Sequence, residues 1–138
     1  MVNSRNKGAA FERKIVNRLN AWLEDNGQDE RVKRNLDQYQ DSGMADIYWR
    51  NFAIECKCYA GKQGINFAQE RWWKQVCESA GEDRIPLLIY KFNRGIERFV
   101  LPAHCMIDDM PKKNDAVVFG NLDEFFERLD DILVRCTQ

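Results

Sequence analysis

Asp46, Glu55 and Lys57 stand in the stretch MADIYWRNFAIECKCY, residues 44 to 59, with the acidic pair nine positions apart and Lys57 two beyond Glu55. Two carboxylates beside an ammonium can hold a hard divalent cation and steady a phosphate under attack by water. Around them lie Ile47, Tyr48, Trp49, Phe52 and Ile54, residue types that favour strands. If Arg50 and Asn51 close a two-residue hairpin, Trp49 faces Phe52, Tyr48 faces Ala53, Ile47 faces Ile54 and Asp46 faces Glu55. Facing residues have Cβ atoms about 4.5–5.5 Å apart, a costly placement for like charges unless a cation lies between them. Arg-Asn is not the favoured turn pair, so a longer or bulged loop would shift this register by one.

Carboxylate and peptide carbonyl oxygens, with waters retained, suit Mg²⁺, and Mn²⁺ as its substitute. Side chains alternate along a strand, so Glu55 and Lys57 share a face while Ile54 and Cys56 take the other. There the Lys57 ammonium can hold or help deprotonate a water and offset charge growing on a phosphate. Taken alone, a Glu-x-Lys triplet is a surface ion pair on a solvated strand. The company of Asp46 and the apolar opposite face favour a site.

These residues need elements to hold them. Phe11, Ile15, Leu19, Trp22 and Leu23 recur at helical spacing over residues 8 to 25, with Gly27 as a stop and Glu12 beside the apolar stripe. Residues 31 to 40 read as a strand ending in the Asp-Ser-Gly turn, followed by strands at 45 to 49 and 52 to 59. Asn66 and Gln69 form a capping box for a helix through Ala80, with Trp73, Val76 and Ala80 inward and Gly81 past its end. IPLLIYKF is a buried central strand, and ERFVLPA its neighbour across an Asn-Arg-Gly turn. Asn121 and Glu124 then open a helix that buries Leu122, Phe125, Phe126, Leu129, Ile132 and Leu133. The order αβββαββα, without repeats or linkers, predicts an α/β fold: residues 1 to 138 as a single domain with a central mixed β-sheet flanked by helices.

The 138 residues suffice for one core, and no apolar run is long enough to cross a bilayer. The first residues carry charge without the apolar run of a signal peptide, so a cytoplasmic location is expected. Five cysteines without a CxxC pair predict free thiols, and a single histidine leaves little for imidazole chemistry. Residues 47 to 98 hold nine basic against six acidic side chains, whereas residues 99 to 138 hold four against eight. That polarity suits an anionic partner on one side.

In its order of an acidic residue, a short hairpin and Glu-x-Lys, the sequence resembles the PD-(D/E)XK nucleases. Within them it is similar to the small junction-resolving endonucleases of archaea and phages. Asp46 and Glu55-Cys56-Lys57 match the motif, Ala45 replaces its proline, and KGAAFERKI resembles the family's first helix with Glu12 as its glutamate. The resemblance covers residues 4 to about 100, leaving the end of the last strand and the acidic helix of 101 to 138 outside it.

The resemblance implies a restriction-endonuclease-like fold and a Mg²⁺-dependent endodeoxyribonuclease, acting as a homodimer on branched DNA such as Holliday junctions, in the host cytoplasm if phage-encoded. Asp46, Glu55 and the Cys56 carbonyl would hold the metal, Lys57 would position the attacking water, and Glu12 would support the metal shell or a second ion. On the helix after the lysine strand, Gln75 is the candidate polar cleft residue, with Gln69 behind it. Lys62, Lys74, Lys91, Arg94 and Arg98 are candidate phosphate contacts. A sequence-specific or non-specific nuclease of the same fold, and a non-catalytic nucleic-acid-binding module, are the alternatives. The module would be expected to lack part of the acidic set, all of which is present.

Overall fold

The computed structural model describes residues 4–36, 43–60, 68, 70–92 and 94–136, with side chains from residue 8 onward. Helix α1 (Ser4–Asp25) is followed by the hairpin of β1 (Ile47–Trp49) and β2 (Phe52–Tyr59), then α2 (Glu70–Ala80) and β3 (Ile85–Phe92). Strand β4 (Arg98–Pro102) leads through a 3₁₀ turn at Ala103–Cys105 to β5 (Val117–Asn121), α3 (Leu122–Glu127) and α4 (Leu129–Cys136).

The five strands lie side by side in chain order. Only β2 and β3 run parallel, because α2 carries the chain back between them, and the remaining neighbours are antiparallel. The result is one α/β domain with a mixed sheet between helices, as the sequence predicts.

Side-chain parity divides the core. Ile47, Trp49, Phe52, Ile54 and Cys56 meet Phe11, Ile15, Leu19 and Leu23 of α1, together with Phe125, Leu129 and Ile132 of the C-terminal helices. Each large aliphatic side chain buried there contributes roughly 1.5–3 kcal/mol. On the other face Leu88, Tyr90 and Val100 pack against Trp72 and Val76 of α2, and Ala53 against Ala80. Small residues at Ala45, Ala53 and Ala80 let α2 approach β2 closely.

Gly27 and Gly81 take φ of 69° and 61°, the left-handed geometry that ends α1 and α2. Val76 and Ala80 face inward as expected, but Trp72, four residues before Val76, fills the core in place of Trp73. Trp73 stays half-buried and donates its Nε1 proton to the Asn114 carbonyl at 2.8 Å.

Two elements differ from the sequence reading. Residues 31 to 35 form no strand, and their backbone bonds instead to the Asn20 side chain and to the carbonyl before β1. Asn20 brackets Val32 with bonds of 3.0 and 2.7 Å to its carbonyl and amide, and the Asn35 amide donates to the Asp46 carbonyl at 2.8 Å. Residues 37 to 40, which that strand would also cover, lie outside the described residues. The fifth strand is β5, paired along Pro102↔Val117 to Arg98↔Asn121, which corrects the order to αββαβββαα.

The C-terminal helix is likewise two pieces meeting at Arg128, and Asn121 occupies the cap position without a side-chain bond. The capping box at Asn66 and Gln69 lies outside the described residues. No helix among the described residues is long and apolar enough to cross a membrane.

Candidate active site

The hairpin adopts the unshifted register, with Trp49 opposite Phe52, Tyr48 opposite Ala53 and Ile47 opposite Ile54. Its two-residue loop is tolerated because Arg50 accepts φ of 53° while its guanidinium packs over Trp49 and hydrogen-bonds Glu30. One step further from the loop, β1 stops as a strand while β2 continues.

There the Asp46 Oδ2 accepts the Cys56 amide proton at 2.8 Å, standing where a ladder carbonyl would be. The amide and carbonyl of one strand residue point to the same side, so the Cys56 carbonyl shares this open edge. Asp46 and Glu55 are 8% and 3% exposed, and the Asp46 charge acts on Glu55.

Burial shifts both groups. Asp46 is pushed up to about 6, chiefly by loss of water and further by the Glu12 charge, against the Cys56 amide and Lys57, which favour the ionised form. Glu55 is pushed up to about 8 by burial first and by the Asp46 charge second, with Lys57 opposing. The two carboxyls therefore titrate as an interacting pair, both raised above their ordinary range.

Lys57 is half-buried on the same face of β2, two residues on. Glu12 reaches the site from α1, buried at 7% and held by Arg34, whose Nε donates to Oε1 at 3.1 Å. Its charge acts on both Asp46 and Glu55. The structure thus gathers Glu12, Asp46, Glu55, Lys57 and the Cys56 backbone at the end of the β1–β2 ladder.

Helix α2 covers the Glu55 side. Ser79 Oγ lies 3.5 Å from Glu55 Oε1 and donates to the Gln75 carbonyl at 3.1 Å. No motif marks Ser79, and only the helix phase places it, so sequence reasoning missed it. Gln75 is exposed one helical turn before Ser79, on the same face of α2, so the structure puts it beside the site without a contact to the carboxylates. Arg34 and Asn35 were also missed, because their bonds to Glu12 and to the Asp46 backbone cross an irregular segment without periodicity.

The basic candidates fall into groups. Arg98 lies in a row with Tyr90 and Lys57 across three adjacent strands, on the α2 face. Lys91 is paired with Cys58 and so lies on the opposite face, where it lines a recess with Lys14, Arg18, Glu97 and Asp123. Arg94 is exposed in the β3–β4 turn and Lys74 is exposed on α2. Lys62 and Gln69 lie outside the described residues. Cys56, Cys58, Cys77, Cys105 and Cys136 are all free thiols, as expected.

A family model described as "Phage putative PDDEXK endonuclease" matches residues 3–134, which includes every residue of this cluster. No curated protein sequence matches the chain.

Proposed function

Since the chain belongs to the family of phage PD-(D/E)XK endonucleases, we propose that it is a Mg²⁺-dependent endodeoxyribonuclease selective for branched DNA and active as a homodimer. The observation that carries this reading is the buried Asp46–Glu55 pair, anchored through the Cys56 amide, with Lys57 next along the same strand face.

The donor set fits a hard divalent cation. Burial and acidic neighbours raise both carboxyls, and a cation between them would favour their ionised forms. Among the described residues no cluster of three or more His, Cys, Asp or Glu side chains stands at ligand spacing. Two carboxylates and the Cys56 carbonyl, completed by water, match the preference of Mg²⁺ or Mn²⁺ better than that of zinc. A cation held there would supply charge neutralisation on the scissile phosphate and a more acidic water.

The chain's own groups do the rest. Asp46 is fixed by its bond to the Cys56 amide and Glu55 is backed by Ser79, so neither carboxylate must reorganise when substrate arrives. Lys57 orients the attacking water and meets charge developing on the phosphate. Glu12, steadied by Arg34, supports the metal shell from the α1 side. Gln75 and Arg98 flank the cleft as polar and phosphate contacts, and in-line attack leaves a 5′-phosphate.

Cleavage of linear, flapped and four-way DNA, with Mg²⁺ and with chelator, tests the reading. Cutting should require the cation and favour branched forms. Lys57→Ala should lower kcat far more than substrate affinity, with poor rescue by arginine, whose planar fork differs from a compact ammonium. Equal rates in chelator, or a Lys57→Ala loss confined to KM, would overturn the metal or the lysine assignment respectively.

A further inference from the structure

Two residues beyond Lys57, on the same face of β2, Tyr59 is 43% exposed although it follows a nearly continuous buried run. Its ring stacks on Trp72 at 5.1 Å and 28° between planes. Trp72 is in turn packed against Phe92 at 5.8 Å and Tyr90 at 6.1 Å, and is itself 2% exposed. Tyr59 is therefore the outer layer of a fixed aromatic stack, held by its neighbours and still presenting ring surface to solvent. Arg98 sits on this face across Tyr90 from Lys57, so the aromatic shelf is flanked by two cations.

We propose that Tyr59 is a stacking platform for one base next to the scissile phosphate whose stack is interrupted at the branch point. The inference rests on the nuclease reading and specifies its substrate: DNA in which the stack is already interrupted beside the cut.

Residues two apart on a strand are about 6.6 Å apart, on the order of one nucleotide of extended backbone. A phosphate at the Lys57 ammonium thus leaves its neighbouring base within reach of the Tyr59 ring, and Arg98 is placed for an adjacent phosphate. Interleaved aromatic and basic groups are how proteins hold single strands without reading sequence, since every base has a π-face. In an intact duplex both faces of a base are covered, and exposing one costs unstacking energy. At a branch point one face is already open. Backing by Trp72 fixes the Tyr59 ring before binding, so little side-chain freedom is lost when a base stacks on it.

The test places 2-aminopurine, a fluorescent adenine analogue quenched by stacking, beside the cut site of a branched DNA and at the same position of a paired duplex. Binding is followed in chelator, so that no strand is cut. The wild-type protein should quench the probe in branched DNA only. Tyr59→Phe should keep the quench and bind within about twofold of wild type. Tyr59→Leu, which still covers Trp72, and Tyr59→Ala should lose it and bind branched DNA about tenfold more weakly, with duplex affinity unchanged.

Equal melting temperatures for Tyr59→Leu and wild type show that the shelf stays folded. A quench that survives in Tyr59→Leu, or equal losses on branched and paired DNA, overturns the platform alone. A wild-type protein that binds neither DNA, and cuts neither with Mg²⁺, overturns the nuclease reading with it.

Discussion

The Asp46 carboxylate continues the sheet where β1 ends: its Oδ2 takes the Cys56 amide at 2.8 Å, Asp46 lying one residue past Ile47 and Cys56 two past Ile54, the last paired residues of the hairpin. One side chain thereby serves both the fold and the charge cluster. It prevents an orphaned amide at a buried strand position, and in doing so it brings a second carboxylate against Glu55. The site is a by-product of how the ladder is terminated.

That double duty separates two substitutions. Asp46→Asn keeps an amide oxygen for the Cys56 bond and removes the charge, so the chain should fold with unchanged or raised stability while cleavage falls by about 10²-fold or more. Asp46→Ala also strands the amide and should cost about 1–3 kcal/mol of stability. DNA binding should persist in both. Chemical denaturation and cleavage assays on the pair check this. Equal stability of the two variants would mean that the bond contributes nothing to the fold.

The raised carboxyls make a statement about pH. In the folded chain burial and acidic neighbours push Asp46 up to about 6 and Glu55 up to about 8, so the native pair keeps protons that the unfolded chain has released. Stability of the metal-free protein should therefore fall as pH rises from about 4 through about 8 and level off above. A divalent cation favours the ionised forms and removes that penalty, so Mg²⁺ should raise the melting temperature more near pH 8 than near pH 5. Melting curves in chelator and in Mg²⁺ decide it. A metal-free melting temperature that climbs over this interval, or a Mg²⁺ effect independent of pH, would count against the interacting pair.

Glu12 and Arg34 form a pair that is easier to remove whole than by halves. Glu12 Oε1 meets Arg34 Nε at 3.1 Å, with the side chains 10% and 17% exposed. Arg34→Met leaves a buried carboxylate facing Asp46 and Glu55 and should destabilise by about 3 kcal/mol, whereas Glu12→Gln combined with Arg34→Met should recover much of the loss. A double-mutant cycle by denaturant melts measures the coupling. Additive losses would show that the two side chains act independently.

What could be read from the sequence was what strand parity and helix phase determine. Once Trp49 and Phe52 flank a two-residue loop, the facing of Asp46 and Glu55 and the shared face of Glu55 and Lys57 follow from a period of two. Glu12 was visible because it borders the stripe of Phe11 and Ile15. The strand at Val117–Asn121 escaped because it is short and its exposure alternates without a clear apolar face. Residues 31 to 35 misled because loose alternation looks like a strand, although Asn20 and Asn35 supply the bonds that a strand would need. Side chains that reach the site from such a segment, Arg34 foremost, carry no periodicity to betray them.

Among the described residues one chain presents one such cluster, yet the junction resolution proposed for it takes two opposed cuts. Two copies related by a twofold axis provide them with the fewest new contacts. The protein should therefore sediment as a dimer at micromolar concentration and nick four-way DNA in symmetrically placed strands. Affinity should drop steeply with salt, because each Lys or Arg contact to a phosphate releases a counter-ion, with a log–log slope of about −0.9 per contact on duplex arms. Selectivity should follow the shape of the junction and persist when the bases around the crossover are changed. Arg98→Ala, lying in the Lys57 row, should shallow the salt slope by about one contact, while Lys91→Ala, on the opposite face of the sheet, should leave it unchanged. Sedimentation with and without DNA, and cleavage of matched junction and linear duplex, test both halves. A monomer that cuts linear duplex as fast as junction would remain an endonuclease of this family and lose junction resolution as its task.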